Sequence, residues 1–173
     1  MGKDEAGSGK GEAAGLLIVE DDQDALFLLK RAFHKVGLAV PIRVAMDGEE
    51  AVAYLSGRGG YADRTSHPLP CLVLLNLKLP KKSGLEVLEW MREQPGLRRI
   101  PVVIVTTSGE ERDRKRALEL GAREYYIKPI DSGGLLRLAK KIHTYTRLFC
   151  ARIKHLAGQD HGEAGAPPPP LKL

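Results

Sequence analysis

The stretch Cys71-Leu72-Val73-Leu74-Leu75 is a continuous apolar run of strand length, and it ends on a polar residue, Asn76, before the turn Leu77-Lys78-Leu79-Pro80. Unbroken apolarity over that length marks a strand covered on both faces, as the central strands of parallel sheets are. In open α/β sheets the ligand crevice lies at the carboxyl ends of the strands, which makes Asn76 a candidate site residue. A lone Asn can also simply terminate a strand, so its neighbours decide its meaning.

The rest of the chain alternates around that run. Leu16-Leu17-Ile18-Val19 predicts a buried strand, and Asp22 caps a helix whose apolar Ala25, Leu26, Leu28, Leu29, Ala32, Phe33 and Val36 keep helical spacing up to Gly37. A second strand is predicted over Ile42 to Ala45. Asp47 and Glu50 have the spacing of a capping box for a short helix through Leu55. Residues 56–70 read as a long loop punctuated by Gly and Pro. After the central strand come a helix from Gly84 to Gln94, a strand from Ile100 to Val105, and a helix opened by Ser108 and Glu111 and stopped by Gly121. A fifth strand runs from Glu124 to Ile127, and a last helix from Asp131 or Ser132 to about Leu156. Strands and helices in strict alternation imply a parallel sheet with right-handed crossovers.

At 173 residues the chain suits one domain with a sizeable core. Residues 1–14 and 157–173, rich in Gly, Ala and Pro, are expected to be disordered tails around a domain over 15–156. Gly7-Ser8-Gly9-Lys10-Gly11 resembles a phosphate loop but lacks a preceding strand and the Ser or Thr for magnesium, so it belongs to the tail. Two cysteines are too few for a secreted disulfide framework, and no run is apolar enough for a signal peptide or a membrane span. A cytoplasmic location and no membrane partner are therefore expected. The net charge of +5 is a mild bias toward anionic partners and no more.

The predicted strands end in Glu20-Asp21-Asp22, in Asn76, in Thr106-Thr107 and in Lys128-Pro129, and the topology brings these ends together. Asp22 is accounted for as a helix cap. Glu20 and Asp21 form a like-charge pair that needs a cation, either a hard divalent ion or Lys128.

Val-Glu-Asp-Asp after the first strand, Leu-Pro-Lys-Lys-Ser-Gly after the third, Val-Thr-Thr-Ser after the fourth and Tyr-Ile-Lys-Pro after the fifth resemble the receiver domain of two-component response regulators. The resemblance covers about Gly15 to Leu148 in order and spacing. It is closest in wording to the single-domain regulators that partner bacterial and cyanobacterial phytochromes. It implies a flavodoxin-like, doubly wound five-stranded parallel sheet with five helices, the last one extended. It also implies roles: Glu20 and Asp21 as the acidic pair that holds magnesium, Lys78 lending its carbonyl to the metal, and Thr106 as the phosphoryl-binding hydroxyl. Lys128 would be the pairing lysine, Tyr125 the aromatic switch that turns inward, and Pro129 would follow a cis bond.

The chain departs from that pattern at its centre, where the phosphoacceptor aspartate of the family is Asn76. A neutral amide is a poor nucleophile and gives no stable acyl phosphate. It also removes one negative charge from the metal site, so magnesium is not required and should bind weakly. Either the receiver signals without phosphate, or Asn76 replaces the aspartate of an ordinary phosphorylatable receiver.

The expected function is non-enzymatic: protein–protein signalling in a phosphorelay, with a sensor histidine kinase or another signalling protein as partner. Arg112, Arg114, Lys115 and Arg116 leave the fourth helix polar nearly all round. With the basic side of the fifth helix they raise a rival reading as a nucleic-acid-binding module. The absence of a winged helix or helix-turn-helix after the receiver, and the scarcity of stacking aromatics, disfavour it. Tyr145, Phe149, Ile153 and Leu156 share one face of the last helix, which is expected to outrun the sheet and pair with a second copy as a homodimer.

Overall fold

Each predicted strand is just long enough to cross a sheet, and in the computed structural model, which describes residues 14–156, all five do so in parallel. The strands are β1 (Leu16–Val19), β2 (Ile42–Ala45), β3 (Leu72–Leu75), β4 (Val102–Thr106) and β5 (Glu124–Ile127). They lie in the order β2-β1-β3-β4-β5. β3 sits at the centre, with Leu16 to Val19 paired against Leu72 to Leu75 on one side and Val73 to Leu75 against Val102 to Ile104 on the other. The order reverses between β1 and β3, and that reversal opens a crevice at the carboxyl ends of the strands.

Side chains alternate across this sheet and feed two cores. Leu17, Val19, Val73, Leu75, Val102 and Ile104 pack with α2 (Gly48–Ser56), α3 (Gly84–Glu93) and α4 (Glu111–Glu119). Leu16, Ile18, Leu72, Leu74, Val103 and Val105 pack with α1 (Gln23–Lys35) and α5 (Ser132–Leu156). Burial on both faces is why these strands are apolar throughout rather than alternating.

Most helix ends form as their sequences imply. Asp22 accepts from the backbone N–H of Asp24 and Ala25, and Gly37 takes the left-handed conformation (φ 73°) that follows the end of α1. Ser83 and Glu86 form a reciprocal capping box on α3. Asp47 caps α2 through Glu50 N–H at 2.8 Å, but the Glu50 carboxylate reaches back one residue further than a capping box would, to Met46 N–H at 2.6 Å. The loop between α2 and β3 is built rather than slack. It holds a single 3₁₀ turn (Gly59–Tyr61), and Arg64 donates to the carbonyls of Tyr54, Leu55 and His67.

Four expectations are corrected. Ser108 and Glu111 do not cap α4: the helix begins at Glu111, and the Ser108 hydroxyl donates instead to the half-buried Asp113 in its first turn at 2.6 Å. The Lys128–Pro129 bond is trans, since no peptide bond among the described residues is cis; trans is the ordinary preference even before proline. Tyr145 and Phe149 are not displayed on an overhanging helix but are 7% and 9% exposed, packed into the core shared with α1. Arg123 lies over the Phe149 ring at 5.0 Å, and Tyr145 donates to Glu124 at 2.9 Å. The side chains of Ile153 and Leu156 lie outside the described residues, as do the tails over 1–13 and 157–173. Finally, the two cysteines, too few in the sequence for a secreted disulfide framework, are joined as a Cys71–Cys150 disulfide.

Candidate functional site

The parallel ladder runs one residue past the strands and thereby sets the site residues side by side. Glu20 N–H donates to Ala45 O, Asn76 N–H to Val19 O at 3.1 Å, and Lys128 N–H to Thr106 O at 2.7 Å. Glu20, Asn76, Thr106 and Lys128, predicted from four strand ends, therefore meet at the mouth of the crevice. Asp21 and the Lys78 side chain stay exposed at its rim, while the Lys78 carbonyl turns in.

At the centre lies a small network around Glu20 and Asn76. Glu20 is 5% exposed and uses both carboxylate oxygens: Oε1 accepts from Asp22 N–H at 3.1 Å and from Asn76 Nδ2 at 3.2 Å, and Oε2 pairs with Lys128 Nζ at 2.5 Å. Asn76 Nδ2 gives its other hydrogen to the Lys78 carbonyl, also at 3.2 Å. Both partners of this nitrogen are acceptors, so the amide has one orientation that satisfies them, and its Oδ1 is left buried without a hydrogen-bond partner. A buried carboxylate otherwise demands a cation. Here an ammonium and an amide N–H share that task.

Beside this network a second one runs along the end of β4. Thr106 is fully buried and its hydroxyl accepts from Ser108 N–H at 3.3 Å. Tyr125 is turned inward, 8% exposed, and donates to the Ser108 carbonyl at 2.9 Å; burial pushes its hydroxyl above the ordinary tyrosine range. Ser108 and Asp113 were not singled out as site residues in the sequence. A backbone carbonyl as the tyrosine's partner leaves no mark on residue identity, and Ser108 had a competing reading as a helix cap.

A divalent cation is the group such acidic strand ends suggest, and the residues present do not fit one as they stand. Among the described residues no three His, Cys, Asp or Glu side chains are grouped to hold a metal. The oxygens that face the centre, Glu20 Oε1 and Lys78 O, already accept from the Asn76 amide. Next to the network a cleft of about 120 Å³ opens between α1 and α5, lined by Ala25, Leu28, Leu135 and Leu138 together with Glu20, Asn76 and Lys128. No helix among the described residues is long and apolar enough to cross a membrane.

Residues 16–140 match the model of the response regulator receiver domain. The probable methanogenesis regulatory protein FilR2 of Methanothrix harundinacea is 38% identical over 130 residues, 75% of this chain and 81% of that protein. Among solved structures, the phosphorylated cyanobacterial phytochrome response regulator RcpA shares 33% identity with a TM-score of 0.72, covering 78% of this chain and 94% of that one. The Mn(2+)-bound form of response regulator Rcp1, a protein of Synechocystis, shares 34% identity with a TM-score of 0.69, covering 76% and 92%.

Proposed function

Because the chain belongs to the response regulator receiver family, a family of non-catalytic modules of two-component signalling, we propose that Asn76 takes the place of the family's phosphoacceptor and that the chain signals through protein–protein contact without being phosphorylated. One observation carries this reading: Asn76 Nδ2 bridges Glu20 Oε1 and Lys78 O, filling with two N–H donors the place that a cation serves when three acidic groups converge. Rcp1 has been solved with Mn(2+) bound; in this chain the same chemistry would require the amide to turn away and two carboxylates to do the work of three, so divalent ions bind weakly.

The state of Tyr125 supports the second half of the reading. A receiver's aromatic switch turns inward when the phosphoryl-binding hydroxyl moves, and Tyr125 is inward already, held by the Ser108 carbonyl. The output face is thus set by the resting chain and read by a cytoplasmic partner, a sensor histidine kinase or another signalling protein. Leu28 of α1 and Pro129 line the cleft beside the network, and exposed Phe27 and Ile130 are their direct neighbours in the chain, which gives such a partner apolar area to cover. Self-association is part of the proposal, but at the β5 edge rather than through Tyr145 and Phe149. Leu118 of α4, Ile127 of β5 and Leu148 of α5 are exposed there, and Leu118→Glu should lower the mass measured by light scattering from dimer to monomer.

Backbone amide resonances of Ser108 and Tyr125 test the reading. In the untreated protein they are expected to coincide with those of Asn76→Asp after a phosphodonor and magnesium, and to differ from those of untreated Asn76→Asp. If the two untreated proteins share the same resonances, the resting chain is not pre-set and the reading falls.

A further inference from the structure

Cys71 and Cys150 take no part in the crevice. Cys71 stands immediately before β3, at the opposite end of that strand from Asn76, and Cys150 lies in the distal part of α5. They are 79 residues apart in sequence, yet their Cα atoms are 5.1 Å apart and the two form a disulfide. That separation lies inside the range of about 4.4–6.8 Å that disulfides span. Both residues are buried, 1% and 8% exposed, in the core that also holds Leu72, Ile142, Tyr145 and Phe149.

What the link holds is the far end of α5. Past Ile142 the helix is tied to the sheet by the Tyr145 hydroxyl on Glu124 and by Phe149 beneath Arg123. The covalent bond at Cys150 comes one residue later, and Ala151 and Arg152 beyond it are exposed. Even with Tyr145, Thr146, Phe149 and Cys150 buried, the last turns of a helix open on their own more readily than the central strands beneath them. The disulfide is the one covalent restraint among these, and the one that a thiol can make or break.

We propose that Cys71 and Cys150 form a thiol–disulfide switch that clamps the distal turns of α5 to the base of β3 when oxidised and frees them when a dithiol reduces it. Attack falls on Cys150 Sγ, which is the less buried of the two and rides on the end of the helix. A reductant thiolate bonds to that sulfur as the S–S bond breaks, and Cys71 leaves as a thiolate that takes up a proton. The second thiol of the reductant then attacks the mixed disulfide, releasing Cys150 as a thiol and leaving the reductant as its own disulfide. Two electrons and two protons pass from the dithiol to the pair. In compartments kept reducing, disulfides are transient and redox-sensing rather than structural, which fits a pair isolated in a domain with a full apolar core. The switch acts on α5 and is independent of the Asn76 network.

The test uses the full chain equilibrated with oxidised or reduced dithiothreitol, with N-ethylmaleimide trapping read by mass spectrometry and hydrogen exchange read over 146–152. The oxidised chain is expected to take up no maleimide and the reduced chain two, with those amides exchanging about tenfold faster after reduction. Cys71→Ala and Cys150→Ala should each exchange at the fast rate in both buffers; the first alters the strand base and the second the helix, so a folding defect in one leaves the other to report. Two maleimides on the chain held in oxidised dithiothreitol, or exchange over 146–152 that reduction leaves unchanged, would overturn the proposal. Resonances of Tyr125 that fail to behave as proposed above would leave this result standing.

Discussion

Replacing Asn76 by aspartate would set a carboxylate oxygen 3.2 Å from Glu20 Oε1 and 3.2 Å from the Lys78 carbonyl, turning two hydrogen bonds into two repulsive contacts. Lys128 cannot offset both charges, because it is already engaged by the other Glu20 oxygen. Asn76→Asp is therefore expected to lower the metal-free stability by roughly 1–2 kcal/mol, the scale of a pKa shift of about one unit, and magnesium should restore it by binding only the folded state. Urea unfolding of both proteins in chelator and in magnesium checks this; equal midpoints in chelator would count against it. The identity and convergence of Glu20, Asn76, Thr106 and Lys128 were legible in the sequence, because each follows a recognisable strand. The direction of the Asn76 amide was not. It depends on a carboxylate and a carbonyl that only the folded chain places on either side of it.

At the scale of elements, the strands and most helix limits were legible because apolar continuity and local caps act within a few residues. The start of α4 was misread because Ser108 has other partners: its hydroxyl goes to Asp113 in the first turn, and Tyr125 of β5 donates to its carbonyl, so it stays outside the helix. The loop before β3 shows the same limit, since nothing local announces that Tyr61 will donate to Glu50 at 2.8 Å and set its ring at a tilt against Tyr54, 5.1 Å between centroids. That hydrogen bond to a carboxylate, with burial second, pushes the Tyr61 hydroxyl up to about 12. A pKa raised on folding contributes stability that is complete below the unfolded value of about 10 and is lost as pH rises through the folded one. Tyr61→Phe should accordingly cost about 1 kcal/mol at neutral pH, with the difference between the two proteins closing between about pH 10 and pH 12. A gap in unfolding free energy that stays constant across that interval would show that the bond does not anchor the loop.

Across the whole molecule, the length of α5 misled the sequence reading. A helix of 25 residues is more than twice as long as a sheet strand of four or five, which suggested a bare apolar overhang. In the fold α1 runs against α5, Arg123 covers Phe149, and Cys71 meets Cys150, so the apolar stripe is consumed internally at least as far as Cys150. The surfaces proposed for partners, the crevice mouth and the β5 edge, lie outside that stripe. The central claim is that this receiver carries its signal without a phosphoryl group, and phosphotransfer measures it directly. Intact-mass spectrometry after incubation with acetyl phosphate and magnesium should show no adduct on the protein as it stands, and a gain of roughly 80 Da, labile to hydroxylamine, on Asn76→Asp, as the acyl phosphate chemistry of a carboxylate nucleophile requires. The same labile adduct on the unaltered chain would contradict the account.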